Sequence, residues 1–222
     1  ACFSPDGKRY ITASSQENYA TIWDENGKNL AALKGNTKNT NILAISYSKD
    51  GNYIAGASED GKLLLWKKQS SYLDWTLRKT IILSEDTLKD VVFSPNSKYV
   101  VASSSDGKIA LWNVTNLKKE WEISAQENDI NAIDFSPDSQ NIVTANENGT
   151  ISLYDMTGKE TANFIGHTAA VNSVSFSPDG QQILSASADK TAMLWDLNGT
   201  VLNTFSGHLK AINHAVFSPN NQ

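Results

Sequence analysis

The sequence predicts an all-β fold built from repeated four-stranded antiparallel units. One observation is a recurring sequence motif in which an aromatic residue precedes Ser-Pro-Asp-Gly or a close variant, starting at Phe3, Tyr47, Phe93, Phe135, Phe176 and Phe217. The second is its spacing, with steps of 41 to 46 residues. The third is that each period contains short runs of alternating apolar and polar residues, the pattern of half-buried strands. A period of about forty residues with four strands indicates a propeller or a similar array.

The clearest unit spans residues 166–196 and shows the pattern of the others. Its alternating runs predict three strands, at residues 171–176, 182–187 and 191–195. Pro178 and Gly180 suit a tight turn between the first two strands, because proline presets φ and glycine accepts a positive φ. The unit is therefore an antiparallel meander.

The repeats divide the chain into five blades and one additional inner strand. The blades fall at residues 1–34, 41–82, 88–123, 130–165 and 171–205, and the additional strand falls at 211–217. The first blade lacks most of its inner strand, since Ala1 already lies within a repeat, and we expect the sequence to be a fragment. The second blade is lengthened at residues 67–73, which we assign to a surface loop.

Each meander has two apolar faces, so it needs neighbours of its own kind. One inner-strand position is always aliphatic, with Ile42, Leu88, Ile130, Val171 and Ile212. Another position on the same strands holds the Tyr or Phe of the recurring motif. Blades that stack radially bury both positions, whereas a lone meander cannot shield its two faces from water. No helical periodicity is present, so no helix is predicted.

Composition narrows the classes of function. The chain has 222 residues, of which 40% are hydrophobic, a net charge of −5 and a pI of about 5.2. The acidic balance argues against sequence-independent nucleic-acid binding, which needs a clustered cationic surface. The single Cys2 excludes an internal disulfide framework and favours a cytoplasmic setting. No apolar run approaches the roughly 20 residues that span a bilayer, so no membrane partner is expected.

The ends of the third strands also repeat, and they carry a family resemblance. They read TIWD up to Asp24, LLLWK up to Lys67, IALWN up to Asn113, ISLYD up to Asp155 and AMLWD up to Asp196. Together with the recurring motif that begins with Tyr or Phe, these strand ends resemble the WD-repeat β-propeller family over essentially the whole chain. Repeats this regular look most like bacterial members, in which the propeller is often joined to a signalling or effector domain.

The resemblance bears on how the ring closes. The family more often closes with seven blades, so we expect an open arc of five blades cut from a larger propeller. The alternative is a closed five-blade ring in which residues 211–217 supply the inner strand that the first blade lacks. Phe3 and Phe217 occupy equivalent positions, which argues against such a latch. An open arc exposes apolar blade faces, so self-association is expected.

The resemblance also implies a polar tetrad within a blade, formed by a His, a strand Ser or Thr, a turn Asp and a Trp. The matching residues are His167, Ser187, Asp189 and Trp195, with partial sets at Ser58, Asp60 and Trp66 and at Ser104, Asp106 and Trp112. A Ser/His/Asp set is also the mark of some enzymes. A nucleophile needs one preorganised pocket rather than a repeated network, so we interpret the sets as structural and expect no catalytic residue.

Several units depart from the tetrad. The His position holds Asn36, Ser84 and Gln126 in units two to four, and Gln16 and Asn148 replace the turn Asp in units one and four. Those blades are expected to be less rigid. Three histidines and one cysteine give no metal-ligand spacing, and no glycine-rich loop opens a helix, so no metal or cofactor is predicted.

Family knowledge places partner contacts where the innermost strands begin, around the central channel. The resemblance assigns this face to Asn41, Leu43, Glu59, Thr87, Lys89, Ser105, Asp129, Asn131, Glu147, Asn172 and Asn213. Acidic side chains outnumber Lys89 there, which favours basic or polar peptides. The prediction is a non-catalytic scaffold for protein or peptide partners. Two alternatives stay open: an enzyme or small-ligand propeller with a pocket in the channel, and a structural spacer between domains.

Overall fold

A computed structural model describes residues 1–13, 18–35, 40–71, 73–124 and 129–218. Within these ranges the chain forms twenty β-strands and no helix. The strands pair into five separate antiparallel sheets, each a four-stranded meander in chain order. The predicted all-β architecture of four-stranded blades is confirmed. None of the described segments forms a helix long and apolar enough to cross a membrane.

The first three blades share one strand order, from the inner strand to the outer strand. Blade 1 consists of β1 (Cys2–Phe3), β2 (Arg9–Ala13), β3 (Tyr19–Asp24) and β4 (Asn29–Lys34). Blade 2 consists of β5 (Ile42–Tyr47), β6 (Tyr53–Ser58), β7 (Lys62–Lys68) and β8 (Trp75–Ile82). Blade 3 consists of β9 (Leu88–Phe93), β10 (Tyr99–Ser104), β11 (Lys108–Asn113) and β12 (Lys119–Ser124).

Two further blades repeat this order. Blade 4 consists of β13 (Ile130–Phe135), β14 (Asn141–Asn146), β15 (Thr150–Asp155) and β16 (Glu160–Ile165). Blade 5 consists of β17 (Val171–Phe176), β18 (Gln182–Ser187), β19 (Ala192–Asp196) and β20 (Val201–Phe205).

The hydrophobic core lies between the blades. Four buried clusters each join one pair of consecutive blades. Between blades 4 and 5, Val143, Ile151 and Phe164 pack against Phe176 and Trp195, and all five are at most 7% exposed. Alternate residues of a strand therefore face the previous and the next blade, as radial stacking requires. None of the four clusters joins blade 1 to blade 5, so the described chain is an open arc.

The turns after the inner strands also connect neighbouring blades. Ser97 and Ser139 have φ values of 59° and 62°, at the turn position where Gly51 has 68°. This region of φ favours glycine, so a serine there carries a conformational cost. Each serine hydroxyl accepts a hydrogen bond from the preceding blade, from the Asp50 amide at 3.0 Å and from the Asn96 amide at 3.1 Å. The bond between blades offsets that cost.

The additional inner strand expected at residues 211–217 is not a strand in the structure. The segment runs beside β17, where the Ile212 amide donates to the Ser187 carbonyl at 3.0 Å and the Ala215 amide donates to Ser173 Oγ at 3.2 Å. A strand needs a continuous ladder of backbone bonds. Each of the other inner strands pairs with the second strand of its own blade. Among the described residues, no second strand is present to complete this ladder.

Candidate functional site

In blade 5 the strand register joins four polar side chains in one hydrogen-bonded chain. His167 precedes β17, and Asp189 lies in the turn between β18 and β19. His167 Nδ1 is 2.8 Å from Asp189 Oδ2, and its Nε2 is 2.7 Å from Ser185 Oγ. Trp195 donates its indole N–H to the same Ser185 oxygen at 2.8 Å. We call these four residues the blade 5 network.

The serine of the blade 5 network is Ser185, and the prediction of Ser187 was wrong. Both side chains lie on the same side of β18, because side chains alternate with period two. In the strand register, Ser185 lies opposite Met193, two residues before Trp195, which brings its hydroxyl to the indole. Ser187 ends the strand, and its hydroxyl instead contacts the carbonyls of the two alanines before β17, at 3.1 and 2.9 Å.

The contacts of Asp189, His167 and Ser185 follow the order of a catalytic triad, with a carboxylate on Nδ1 and a hydroxyl on Nε2. A nucleophile must also reach its substrate. Ser185 is 0% exposed, and the side chains of His167 and Asp189 are 0% and 7% exposed. The Ser185 oxygen also accepts the Trp195 indole. The Ser185 hydroxyl is therefore enclosed, and its partners in the network are side chains of the same blade.

Blades 2 and 3 satisfy the turn aspartate in a different way. In blade 3, Ser84 occupies the His position and donates to Asp106 Oδ2 at 2.8 Å, while Lys108 Nζ lies 2.5 Å from the same oxygen. In blade 2, Lys62 forms an ion pair with Asp60. In both blades a lysine two residues after the aspartate supplies the positive partner, whereas blade 5 has a threonine there. Lysine thus takes the place of the buried imidazole.

The indole nitrogens of blades 2 and 3 also differ from that of blade 5. Gly56 in blade 2 and Ala102 in blade 3 occupy the strand position of the network serine. Trp66 therefore donates to the Lys34 carbonyl at 3.1 Å instead. Trp112 is 3% exposed and is held by hydrophobic packing between blades 2 and 3.

The two serines that were grouped with these tryptophans contact the turn aspartates instead. Ser58 Oγ donates to Asp60 Oδ1 at 2.6 Å, and Ser104 Oγ donates to Asp106 Oδ1. The partial sets of blades 2 and 3 are therefore turn networks separate from the tryptophan. Three substitutions noted in the sequence, Gln16, Asn36 and Gln126, lie outside the described residues.

Blade 4 carries an uncharged network at the equivalent place. Asn146 donates from Nδ2 to Ser152 Oγ at 3.2 Å and accepts from Thr144 Oγ1 at 3.1 Å. Tyr154 stands where the other blades have tryptophan and is 4% exposed. Amides and hydroxyls satisfy one another here without an ionised group.

The turn carboxylates of blades 5 and 3 stay ionised because of different partners. Burial opposes ionisation of Asp189, but its hydrogen bonds, first that from Thr191, hold the pKa well below the usual range. Burial also opposes ionisation of Asp106, and its hydrogen bonds, first that from Lys108, lower the pKa to about 2. The side chains of Lys108 and Asp106 are 32% and 23% exposed, so this pair is open to water.

The channel-mouth face consists of the eleven residues that the resemblance assigned to partner contacts. All of them are at least partly exposed, and Leu43 is 43% exposed. The same backbone bond recurs in four blades, where the amides of Glu59, Ser105, Glu147 and Ala188 donate to the carbonyls of Asn41, Thr87, Asp129 and Ala170 at 2.8 to 2.9 Å. This bond fixes the turn of each blade against the start of its inner strand. Equivalent side chains are therefore presented at the same height on successive blades.

Asparagine side chains on the channel-mouth face form structural links. These bonds join Asn41 Nδ2 to Glu59 Oε2 at 2.8 Å, Asn131 Nδ2 to Glu147 Oε2 at 2.8 Å, and Asn172 Nδ2 to the Ile212 carbonyl at 2.9 Å. Asn131 also donates to the Val171 carbonyl at 3.1 Å and so connects blades 4 and 5. The two glutamates are held in place at the exposed rim, where they remain accessible to a partner.

Two carboxylates that the sequence pattern did not single out line the central channel. Asp90 on β9 and Asp134 on β13 border a cavity of about 440 Å³ together with His214. Asp90 Oδ2 accepts the Ile133 amide at 3.1 Å, and Asp134 Oδ2 accepts the Phe176 amide at 2.9 Å. Burial raises the pKa of Asp134 to about 7. Since both carboxylates accept bonds from the next blade, they connect inner strands around the channel.

Comparison with known families finds the same repeats. A family profile described as "WD domain, G-beta repeat" matches four segments, residues 27–67, 75–113, 117–155 and 158–196. Each segment runs from the outer strand of one blade through the first three strands of the next. The matches together cover more than half of the chain. No curated protein matches the chain.

Proposed function

Because the chain belongs to the WD-repeat family, we propose that it is a non-catalytic scaffold that binds protein or peptide partners through the channel-mouth face. The recurring amide-to-carbonyl bond, which holds the turns of four blades at one rim, carries this proposal. A surface held in place before binding loses little conformational entropy when a partner docks. Its exposed side chains then act together as one binding surface.

The charges of the channel-mouth face suggest the chemistry of the partner. Glu59, Asp129 and Glu147 contribute three carboxylates against one ammonium from Lys89. Leu43, at 43% exposure, adds an apolar contact. We infer a peptide that carries lysine or arginine beside an apolar side chain. Attraction at such an exposed rim is weak and decreases with salt.

Burial of the triad-like residues supports a scaffold over an enzyme. The Ser185 hydroxyl is enclosed by His167 and Trp195 and is 0% exposed. The channel carboxylates accept backbone amides of the next blade. Within the described ranges, no group of three or more His, Cys, Asp and Glu side chains is arranged to hold a metal ion. We propose that the scaffold is cytoplasmic, because its single cysteine cannot form a disulfide within the chain and disulfides are rare in that reducing compartment.

A charge-reversal experiment tests the proposed surface. The test variant combines Glu59→Lys, Asp129→Lys and Glu147→Lys. The control combines Glu25→Lys, Glu120→Lys and Glu160→Lys, three exposed acids on or beside the outer strands. On an array of basic peptides at low salt, we expect the test variant to lose at least about tenfold in binding while the control binds as the parent does. Equal binding by both variants, or no binding by the parent chain, would contradict the proposal.

A further inference from the structure

We propose that a groove between the outer parts of blades 2 and 3 binds a short acidic segment of a partner protein, with an apolar side chain inserted between the blades. Its volume is about 370 Å³. Its lining includes Lys79, Ile81, Ile82, Trp112, Leu117 and Lys119, which together define the outer groove. The proposal goes beyond the scaffold function, because none of these residues belongs to the channel-mouth face and the ligand has the opposite charge.

The outer groove is open because blade 2 lacks the aromatic side chain that fills the equivalent place in the next two blades. Trp121 of blade 3 reaches blade 4, where its indole N–H donates to the Met156 carbonyl at 2.9 Å. Phe164 of blade 4 is 1% exposed and packs in the cluster between blades 4 and 5. The strand registers place Lys79 and Ile81 of blade 2 at these two positions. Neither side chain is aromatic, so less of the space before blade 3 is filled.

The turn of blade 3 that borders the outer groove also differs from its counterparts. In blades 4 and 5 a glycine stands in this turn, Gly158 or Gly199, and a Cβ on either would lie within 3.0 Å of the aromatic ring of the preceding blade. In blade 3 the position is taken by Leu117, with a φ of 61°. This region of φ is costly for a leucine, and backbone strain of this kind is concentrated at functional sites. The turn thus adds an apolar wall to the groove.

Trp112 borders the outer groove with an indole N–H that has no hydrogen-bond partner among the described residues, although the side chain is only 3% exposed. The equivalent indoles of blades 2 and 5 each have an acceptor. Ser103 and Ser175 carry the polar side-chain atoms of the described chain that are both unpaired and fully enclosed, so the Trp112 nitrogen retains access to solvent. A donor with so little access to water is poorly satisfied. A carboxylate or carbonyl oxygen in the groove would supply its acceptor.

Leu83 accounts for the different place of the Trp112 ring. In blades 2 and 5 the tryptophan ring packs directly on Gly35 and Gly166, where a Cβ would lie 2.8 and 2.7 Å from the ring. In blade 3 the same position, directly after the outer strand of the preceding blade, holds Leu83, which is 6% exposed. Its side chain keeps the Trp112 ring out of the place that the equivalent rings take. The ring borders the outer groove instead.

The charged side chains that line the outer groove are both lysines, in a chain whose net charge is −5. Lys79 forms no ion pair within the described ranges. Lys119 Nζ lies 2.6 Å from Glu122 Oε2, but the two side chains are 50% and 33% exposed. An ion pair this exposed contributes little, so Lys119 can exchange Glu122 for a carboxylate of the ligand. Charge complementarity therefore favours an acidic partner.

Arg78 holds the two walls of the outer groove together. Its Nη1 donates to the Val114 carbonyl at 2.9 Å, and its Nη2 donates to the Thr115 carbonyl at 2.6 Å. These bonds tie β8 of blade 2 to the turn of blade 3. A groove whose walls are fixed before binding loses little conformational entropy when a ligand enters.

The size of the outer groove sets the size of the ligand. Its volume of about 370 Å³ is at the lower end of the range for ligand sites, which is about 300 to 1,000 Å³. It suits one large apolar side chain and its neighbours rather than a folded domain. We expect a segment in which one Leu, Phe or Trp lies between Asp and Glu residues.

Fluorescence anisotropy with labelled peptides tests the proposal. The probes are fluorescein-labelled heptapeptides of Asp and Glu with a central Leu, Phe or Trp, and a matched peptide has Ser at the centre. We expect the parent chain to bind at least one apolar-centred peptide, and to bind the serine-centred peptide at least about tenfold more weakly. No binding of any apolar-centred peptide, or equal binding of the serine-centred one, would overturn the proposal.

Two variants separate the apolar part of the outer groove from its charge. Ile81→Phe places in the groove the side chain that blade 4 has at this position, and it keeps both lysines. The combination of Lys79→Glu and Lys119→Glu reverses the charge and keeps the apolar lining. We expect each variant to bind the best peptide at least about tenfold more weakly than the parent chain. Unchanged binding by either variant would show that the peptide binds elsewhere.

A matched control makes the same change in net charge at another place. It combines Lys28→Glu and Lys159→Glu, two exposed lysines directly before the outer strands of blades 1 and 4. We expect it to bind the peptide as the parent chain does, and an equal loss in the control would overturn the proposal. Circular dichroism checks that each variant folds. All these variants leave the channel-mouth face intact, so their outcome does not bear on the scaffold proposal.

Discussion

Blades 5 and 3 place an aspartate in the same turn but surround it differently. Asp189 contacts a histidine whose side chain is 0% exposed, whereas Asp106 contacts Lys108, which is 32% exposed. A buried imidazole that loses its partner cannot turn to water, but an exposed ammonium can. The comparison shows that the repeats share the position of a charge and differ in the cost of removing it.

The largest expected difference comes from deleting each aspartate. Asp189→Ala leaves His167 and Thr191 without their acceptor inside blade 5, so we expect a loss of about 3 kcal/mol in the free energy of unfolding. Asp106→Ala lets Lys108 turn to solvent but removes one acceptor from each of the buried Ser84 and Ser104 hydroxyls, so we expect a smaller loss of about 1 to 2 kcal/mol. Urea denaturation at neutral pH measures both. Equal losses would remove the distinction between the two blades.

A second expected effect concerns the channel carboxylates, whose pKa values are raised by folding, whereas those of the turn aspartates Asp106 and Asp189 are lowered. The pKa of Asp134 is raised to about 7 by burial, so folding favours its protonated form. Its contribution is therefore present in full below its unfolded pKa near 4 and is lost as pH rises towards 7. A pKa raised from near 4 to about 7 corresponds to about 4 kcal/mol, and because the Asp134 side chain is partly exposed in the channel we expect stability to fall by about half of that, about 2 kcal/mol, over this range. The lowered pKa of Asp189 affects the free energy of unfolding only as pH falls below about 4, where the stability it contributes is lost.

Denaturation midpoints between pH 4.5 and 7.5 isolate the Asp134 effect. Asp134→Asn should flatten the pH dependence, although Asp90, whose pKa is also raised by burial, keeps part of it. Asp138→Asn, in the exposed turn after the same strand, is the control and should keep the slope of the parent chain. A slope that is unchanged in Asp134→Asn would show that this carboxyl is not the group that titrates.

A smaller difference is expected between two serines on the same side of β18. Ser185→Ala removes the partner of both His167 Nε2 and the Trp195 indole, for a loss of about 2 kcal/mol. Ser187→Ala removes contacts to backbone groups at the strand end, and we expect about 1 kcal/mol. Thermal denaturation of the two variants measures both losses. A larger loss for Ser187→Ala would restore the tetrad that the sequence suggested.

The smallest effect has the opposite sign and lies in blade 3. The Ser103 hydroxyl is buried and has no hydrogen-bond partner among the described residues. The equivalent positions in blades 2, 4 and 5 are Ala57, Ala145 and Ala186. Ser103→Ala should therefore stabilise the chain by about 1 kcal/mol. Ser104→Ala, which loses its bond to Asp106, should destabilise it, and a shift of the same sign in both variants would count against this assignment.

The blades could be predicted from the sequence because their signals repeat. The recurring aromatic motif, the alternation of apolar and polar residues and the tight turns are found in each unit, and each favours the same meander. The additional strand could not be predicted in the same way. Residues 211–217 carry the pattern of an inner strand, but a pattern does not supply the neighbouring strand that completes a ladder.

The site was harder to predict, because its residues do not repeat. Ser185 and Ser187 alternate onto the same side, and only the register shows which one meets Trp195. Thr12 and Thr144 also carry a hydroxyl at the position of Ser185, and Trp23 donates to Thr12 at 2.8 Å, but Gly56 and Ala102 interrupt the pattern in blades 2 and 3. Asp90 and Asp134 stand at different positions of their strands, three residues and one residue before the aromatic residue. Their shared role depends on the neighbouring blade, which a single repeat does not reveal.

Hydrogen exchange of the Trp195 indole N–H, followed by NMR after transfer to D2O, tests the central claim that blade 5 is held by one connected network. The indole and Asp189 lie at opposite ends of that network, joined through Ser185 and His167. We expect slow exchange in the parent chain and at least tenfold faster exchange in Asp189→Ala. Asp179→Ala, in the other turn of blade 5, should leave the rate unchanged. Equal indole exchange rates in the parent chain and in Asp189→Ala would contradict the account.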